Sequence, residues 1–332
     1  KLQRTVIHGL SVARPEDIEE LIKRHDVTDV LLAIPSASQE RRKEIINSLV
    51  GLSVHVRTVP TISELLAGEA SVNQIRDIDL DDLRTEVAAA VGAKWEKIDV
   101  ARGEDWTAMT GRAMDDWGRI DILVNNAGIL RDKSFAKGEL DDFKLVLDVH
   151  LMGSVNCTKA CWDIMRDQGY GRIVVTTSSS GLYGNFGQTN YGSAKMGVIG
   201  MMNTLVQEGG KYDIRVNALA PTAGTRMTEG LIPEEAFALL TPETVTPAVL
   251  YMVSEDAPNK TIICAGAGAY SVAKIVETDG VWLKPEDQTP EGIAANWDAI
   301  TSPEGERQPE AGFEQTVKFT GKAMEGLGLV DK

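Results

Sequence analysis

An apolar β-branched run, Ile173-Val174-Val175-Thr176-Thr177, opens into hydroxyls and glycines at Ser178–Gly181 and then into a helical pattern headed by Tyr191 and Lys195. β-Branched side chains favour a pleated, packed environment, so the run reads as a buried strand. The following stretch, YGSAKMGVIGMMNTLVQE, has the apolar spacing of a helix. Residues at i and i+4 share one helix face, so the Tyr191 phenol and the Lys195 ammonium project the same way. A strand-end serine facing such a pair is suited to moving a proton off an alcohol.

At 332 residues the chain can bury a large core and hold one big domain or two. A formal net charge of −15 argues against nucleic acid as a partner, which needs a basic footprint. Cys157, Cys161 and Cys264 are odd in number and lack metal-type spacing, so neither a disulfide framework nor a metal site is expected. A reduced, cytoplasmic compartment is the simplest expectation. No stretch is long and apolar enough for a membrane-spanning helix.

Strand and helix patterns alternate from the start. RTVIHGL, VTDVLLAI and VHVRTVP are strand candidates, separated by the helical patterns PEDIEELIKRH and SQERRKEIINSL. Such alternation implies right-handed crossovers and a parallel sheet. Ser36-Ala37-Ser38 offers either a phosphate site at a helix N-terminus or an ordinary cap, and with no glycine-rich turn before it the cap is favoured. Arg41, Arg42 and Lys43 read as a solvated helix face.

Further on, KWEKIDV reads as a strand ending at Asp99-Val100, and DWTAMTGRAMDDWG as a helix. IDILVNNAG runs from a strand into Asn125-Asn126-Ala127-Gly128, where small residues permit close approach to a planar ligand. A long helical pattern, DDFKLVLDVHLMGSVNCTKACWDIM, carries His150 and, nearby, Asn156. DIRVNALAPTAGTRMTE gives a strand followed by a loop at Pro221, and TIICAGAG reads as a last strand. The GxG of Gly266-Ala267-Gly268 imitates a dinucleotide fingerprint but stands alone, which is too little to assign it. From Lys284 onward the composition suggests a loop-rich tail with two short helices.

From about residue 85 the motif order resembles the short-chain dehydrogenase/reductase family. It runs Asp99-Val100, NNAG at 125–128, Ser178 thirteen residues before Tyr191-x-x-x-Lys195, and Pro221 after a strand. NNAGILRDKSF, VHLMGSVNCTKACW, SGLYGNFGQTNYGSAK, APTAGTRMTE and TPEGIAANWDAI look like the 3-hydroxyacyl-CoA dehydrogenase unit of β-oxidation multifunctional enzymes. Residues 1–84, through LLAIPSAS, RRKEII, VHVRTVPTISELLAG and VNQIRDIDLDDL, instead resemble the segment preceding the catalytic domain of nucleotide-sugar dehydratases/epimerases. The implied organisation is an α/β segment over 1–84, a dehydrogenase region over 85–283 and a tail over 284–332. The implied fold is a Rossmann-like, doubly wound parallel α/β sheet with helices on both faces.

The resemblance implies hydride transfer between NAD or NADP and a secondary alcohol, with an acyl-CoA as the small-molecule substrate and a homodimer as the assembly. Tyr191 would take the alcohol proton, Lys195 would stabilise the phenolate and hold the nicotinamide ribose, and Ser178 would bond the substrate oxygen. His150 stands where many members have the asparagine of a proton relay. Asp99, Val100, Asn126, Ala127, Gly128 and Pro221 would line the cofactor, with Asp99 on the adenine amino group; an Asp there is also a common turn residue. An ammonium close to a phenol lowers its pKa from about 10, so Lys195 is expected to depress Tyr191. The family's TGxxxGxG loop is absent from the sequence, which keeps a catalytically silent α/β protein as one alternative, and the wording of residues 1–84 keeps a nucleotide-sugar dehydratase/epimerase as another.

Overall fold

The computed structural model describes residues 91–224 and 233–330, together with 6–7, 10–11, 20, 22, 24, 29–32, 55–58, 76–77 and 88–89. The chain divides into two compact units, Lys1–Lys97 and Ile98–Lys332. In the first, β1 (Val6–Ile7) pairs antiparallel with β2 (Leu10–Ser11), whose two-residue separation is hairpin length. The described residues of RTVIHGL, Val6, Ile7 and Leu10, therefore depart from the expected parallel pairing. The parallel expectation is met by β3 (Asp29–Leu32) against β4 (His55–Thr58), with β5 (Arg76–Asp77) antiparallel on β4. Ser36–Ser38 and the Arg41–Lys43 run lie outside the described residues.

The second unit contains a five-stranded sheet in the order β10-β9-β8-β7-β6. Its strands are β6 (Ile122–Asn125), β7 (Gly171–Thr176), β8 (Ile214–Pro221), β9 (Ile262–Gly266) and β10 (Ala269–Ala273). The first four are parallel, as crossovers through helices require, and β10 returns antiparallel. The connecting helices include α1 (Gly103–Trp117), α2 (Leu140–Leu147), α3 (Gly153–Gln168), α4 (Ser179–Tyr183), α5 (Thr189–Gly209) and α6 (Thr246–Met252).

Successive residues of β7 feed two cores. Ile173 and Val175 join Cys157, Cys161 and Met165 of α3 with Val198, Ile199 and Met202 of α5. Val174 points the other way, into Leu219, Ile263 and Ala265 under Ala248 and Met252 of α6. Every residue of β7 is buried, which is why its sequence is a continuous apolar run without alternation. Each fully buried side chain of this size contributes on the order of 1.5–3 kcal/mol of burial energy. The expected α/β sheet with helices on both faces is what forms. At the margin, β6 buries Leu123, whereas Ile122 and Val124 stay 47% and 42% exposed.

Three local expectations change. Residues 93–99 adopt no strand, because Asp99 turns the chain directly into α1: its Oδ1 accepts the Ala101 N–H at 3.0 Å and its carbonyl accepts the Arg102 N–H at 2.9 Å. TIICAGAG is not the last strand: Ala267 and Gly268, both at positive φ, form a two-residue turn of the type I′ pattern into β10. The tail holds three helices, α7 (Pro290–Ala295), α8 (Trp297–Ile300) and α9 (Phe313–Gly326). The last is fastened by Lys318 to Glu277 at 2.8 Å and by Lys322 to Asp279 at 2.6 Å. The internal Gly321 obscures the helical pattern in the sequence.

Candidate active site

β7 delivers its last residues to the C-terminal edge of the parallel strands, where open α/β sheets bind ligands. Thr177 is held there by its N–H to the Leu219 carbonyl at 2.7 Å and its hydroxyl to the Lys195 carbonyl at 2.6 Å. Ser178 is extended, and its Oγ accepts the Ser180 N–H at 3.2 Å, capping α4. The α4 turn then presses onto α5: a Cβ on Gly181 would lie 2.7 Å from Lys195 Cβ. Only glycine allows that approach without a shift of one element.

On α5, Tyr191 and Lys195 fall one turn apart as the spacing predicts, with the Lys195 Nζ 5.5 Å from the Tyr191 ring centroid. The Ser178 hydroxyl stands close enough to the Tyr191 phenol to favour its ionised form. Lys195 is 4% exposed and donates to the Thr176 carbonyl at 2.6 Å. His150 meets the phenol ring edge-on, with centroids 5.0 Å apart and planes at 88°. It projects from Asp148–Met152, a π-helical segment that separates α2 from α3. One extra residue in a helical turn rotates the chain register, and such insertions are frequent at functional sites.

The His150 ring occupies space that Gly128 leaves open, since a Cβ on Gly128 would lie 2.3 Å from His150 Cε1. His150 is 3% exposed. Its Nε2 lies 2.7 Å from the Ile129 carbonyl and 3.1 Å from the Ile129 N–H, contacts that demand opposite tautomers. Among the described residues its buried Nδ1 has no hydrogen-bond partner, and neither has Asn125 Oδ1. Two orphaned polar atoms at one sheet end are unusual and mark a polar site.

Electrostatics follow burial. Desolvation pushes the Tyr191 phenol above its ordinary value; the Ser178 bond works against this, and the Asp132 carboxylate adds to it. Lys195 is lowered to about 8 by burial. His150 falls to about 4, first through burial and then through the Lys195 charge, with the Ile129 bond opposing. The expected depression of Tyr191 by Lys195 is not met: burial sets the direction at the phenol, and the Lys195 ammonium is bonded to the Thr176 carbonyl.

The structure brings Ser178, Tyr191, Lys195, His150 and Gly128 together. Asn126 stands at the same edge, its Oδ1 accepting the Thr176 hydroxyl at 3.2 Å, and Ala127 beside it is exposed. Pro221 ends β8 opposite Ala265. Asp99 serves as the turn residue described above, and Val100 packs on Gly153, where a Cβ would meet Val100 Cγ2 at 2.9 Å. Asn156 is separate from the site: its Nδ2 donates to the Val100 and Ala101 carbonyls at 3.2 and 3.1 Å. Sequence reasoning missed Gln188 and Asp132, joined at 2.7 Å. The available signal was a glutamine just before the helix that carries Tyr191.

A nicotinamide ribose fits this edge. Among the described residues, one carbonyl accepts from the Lys195 ammonium, which leaves N–H groups for a sugar hydroxyl. The described residues hold no cluster of three or more side chains suited to a metal ion, and none of their helices is long and apolar enough to cross a membrane.

Comparison with known proteins places these features in context. The sequence profile of the short chain dehydrogenase family matches residues 65–236. The chain is 44% identical over 223 residues to the peroxisomal multifunctional enzyme type 2 of Mus musculus, covering 66% of this chain and 30% of that protein. A Mycobacterium tuberculosis protein named for the short-chain dehydrogenase/reductase type is 42% identical over 228 residues, covering 68% and 79%. The structure of full-length peroxisomal multifunctional enzyme type 2 from Drosophila melanogaster superposes with a TM-score of 0.61 at 29% identity, covering 90% of this chain and 50% of that one. The chain therefore spans only part of the multifunctional enzymes it matches.

Proposed function

The chain belongs to the short-chain dehydrogenase family, and from that premise we propose that it oxidises the secondary alcohol of a 3-hydroxyacyl-CoA, or reduces the matching ketone, with NAD or NADP. The observation that carries the reading is the Ser178–Tyr191–Lys195 cluster at the C-terminal edge of the sheet.

In this reading Ser178 and Tyr191 both bond the substrate oxygen. Tyr191 is the general base: its phenolate oxygen takes the hydroxyl proton as the carbon becomes a carbonyl. Burial holds the resting phenol protonated, which suits the reverse direction, where Tyr191 donates that proton. Lys195, released from the Thr176 carbonyl toward the ribose and the phenol, lowers the cost of the phenolate. Ser178 stabilises the charge that develops on the oxygen. The nicotinamide supplies the hydride acceptor when bound. Lys195, Tyr191 and Asn126 would hold its ribose end, with Ala127, Gly128 and Pro221 as neighbours. Asp99-Val100 would meet the adenine end.

Tyr183 and Phe186 stand exposed between Ser178 and Tyr191, an apolar wall suited to an acyl chain. The wording shared with the multifunctional enzymes supports a CoA thioester. We also take residues 1–84, 85–283 and 284–332 as the functional segments. A homodimer is supported by half-exposed Leu145, Met152 and Met196 on the helices around the site. Free cysteines at 157, 161 and 264 accord with a cytoplasmic location.

The test is turnover of 3-hydroxybutyryl-CoA with NAD⁺ and with NADP⁺, in the wild type and in Tyr191→Phe. Loss of a general base predicts a fall of about 100-fold or more in kcat. Equal turnover by the variant would remove Tyr191 from the chemistry.

A further inference from the structure

Three segments meet at one side chain beside the catalytic pair. The Gln188 Oε1 accepts from the Ser180 hydroxyl at 2.7 Å and from Asn185 Nδ2 at 3.2 Å, while its Nε2 donates to Asp132 Oδ2 at 2.7 Å. Ser180 belongs to the turn that carries Ser178, and Asp132 belongs to the loop that follows Gly128. Gln188 itself is the residue before α5, which begins at Thr189 and carries Tyr191. Two neighbouring bonds repeat the connection: the Lys133 N–H to the Gly187 carbonyl at 2.9 Å, and Asn190 Nδ2 to the Arg131 carbonyl at 3.0 Å.

We propose that Gln188 is a positioning residue: its amide clamps the Ser178 turn and the Asp132 loop onto the start of α5, and so sets both the Ser178–Tyr191 geometry and the charge next to the phenol. The inference deepens the dehydrogenase reading and rests on it for the meaning of kcat.

The chemistry of the hub is specific to an amide. Two donors converge on one oxygen and one acceptor faces the nitrogen, so a leucine satisfies none of them and a glutamate satisfies only the first two. The charge beside the phenol is also set here. Around Tyr191 stand Lys195 on its own helix, the neutral His150 ring from the π-helical segment, the Ser178 hydroxyl from the α4 turn, and Asp132 from the loop. Arg131 and Lys133 flank Asp132 but pair with Asp142, at 3.7 and 3.1 Å, so their charges are not spent on Asp132. Asp132 therefore acts on the phenol as a negative charge whose position Gln188 fixes.

The experiment combines turnover of 3-hydroxybutyryl-CoA with ¹³Cζ-tyrosine NMR, in which Tyr191→Phe assigns the resonance among the six tyrosines. Gln188→Glu sets a second carboxylate against Asp132. It should cut kcat about 10-fold with KM within about threefold, and raise the Tyr191 titration midpoint. Asp132→Asn keeps an acceptor for the Gln188 amide and removes the charge, so the midpoint and the kcat–pH profile should both move down. Gln188→Glu with Asp132→Asn restores the bond with donor and acceptor exchanged, and should recover most of kcat. An unmoved midpoint in both single variants, or a double variant no better than Gln188→Glu alone, would overturn the proposal. Should the wild type fail to turn over the substrate, the dehydrogenase reading falls, and the titration still decides the clamp.

Discussion

Lowering the pH should unfold this protein partly through His150. The ring is packed between Gly128 and Tyr191, and its pKa falls from 6.5 to about 4. In the unfolded chain it titrates near 6.5. Between those values the unfolded chain takes up a proton that the folded ring refuses, so stability is intact above about 6.5 and drains away as the pH falls toward 4. At about 1.4 kcal/mol per unit, the depression makes roughly 3 kcal/mol of stability depend on pH in that window. Urea unfolding at several pH values should compare the wild type with His150→Gln, which keeps a polar side chain but does not titrate there. Acidic groups such as Glu277 and Asp279 change equally in both proteins and cancel. The wild type should lose roughly 3 kcal/mol more than the variant between pH 7 and pH 4. Parallel pH profiles, or a His150 ring resonance with its midpoint near 6.5, would refute the reasoning.

Other perturbations probe neighbouring links. Lys195→Met should abolish turnover without lowering the thermal midpoint at neutral pH, because an ammonium lowered to about 8 by burial opposes folding while charged. In the wild type, stability should rise with pH between about 8 and 10.5, where the unfolded chain binds more protons, and circular dichroism melts of Lys195→Met should lack that rise. Gly128→Ala drives a methyl into His150 and should cost about 1–3 kcal/mol in chemical denaturation. Adding His150→Ala makes room for it, so a double-mutant cycle should show strong coupling; simple additivity would mean the two residues do not compete for space.

What the sequence made legible was local. The β7 run is apolar because both faces of that strand are covered, and the Tyr191–Lys195 spacing survives because a single helix carries both. Ser178 could be placed at a strand end for the same reason. The π-helical insertion at His150 was hidden: one extra residue in a helix leaves the apolar pattern almost unchanged yet rotates every side chain after it. The clamp was hidden too, since Asp132 and Gln188 are polar loop residues 56 positions apart. Lys195 was expected to depress the phenol, but burial, which no four-residue spacing reveals, raises it instead. KWEKIDV carries strand-like residues, and the Asp99 side chain turns it instead.

The marginal strand β6 has a consequence of a different kind. Leu123 and Asn125 point inward, the latter donating to Thr158 at 3.1 Å, while Ile122 and Val124 face solvent. Among the described residues β6 borders the sheet, and a border strand with exposed apolar side chains is a template onto which other extended chains can add. Leu123 belongs to the core and Asn125 to a buried hydrogen bond, so change is costly there, whereas Ile122 and Val124 touch neither. At positions 122 and 124, shelf life and solubility are the properties most open to change.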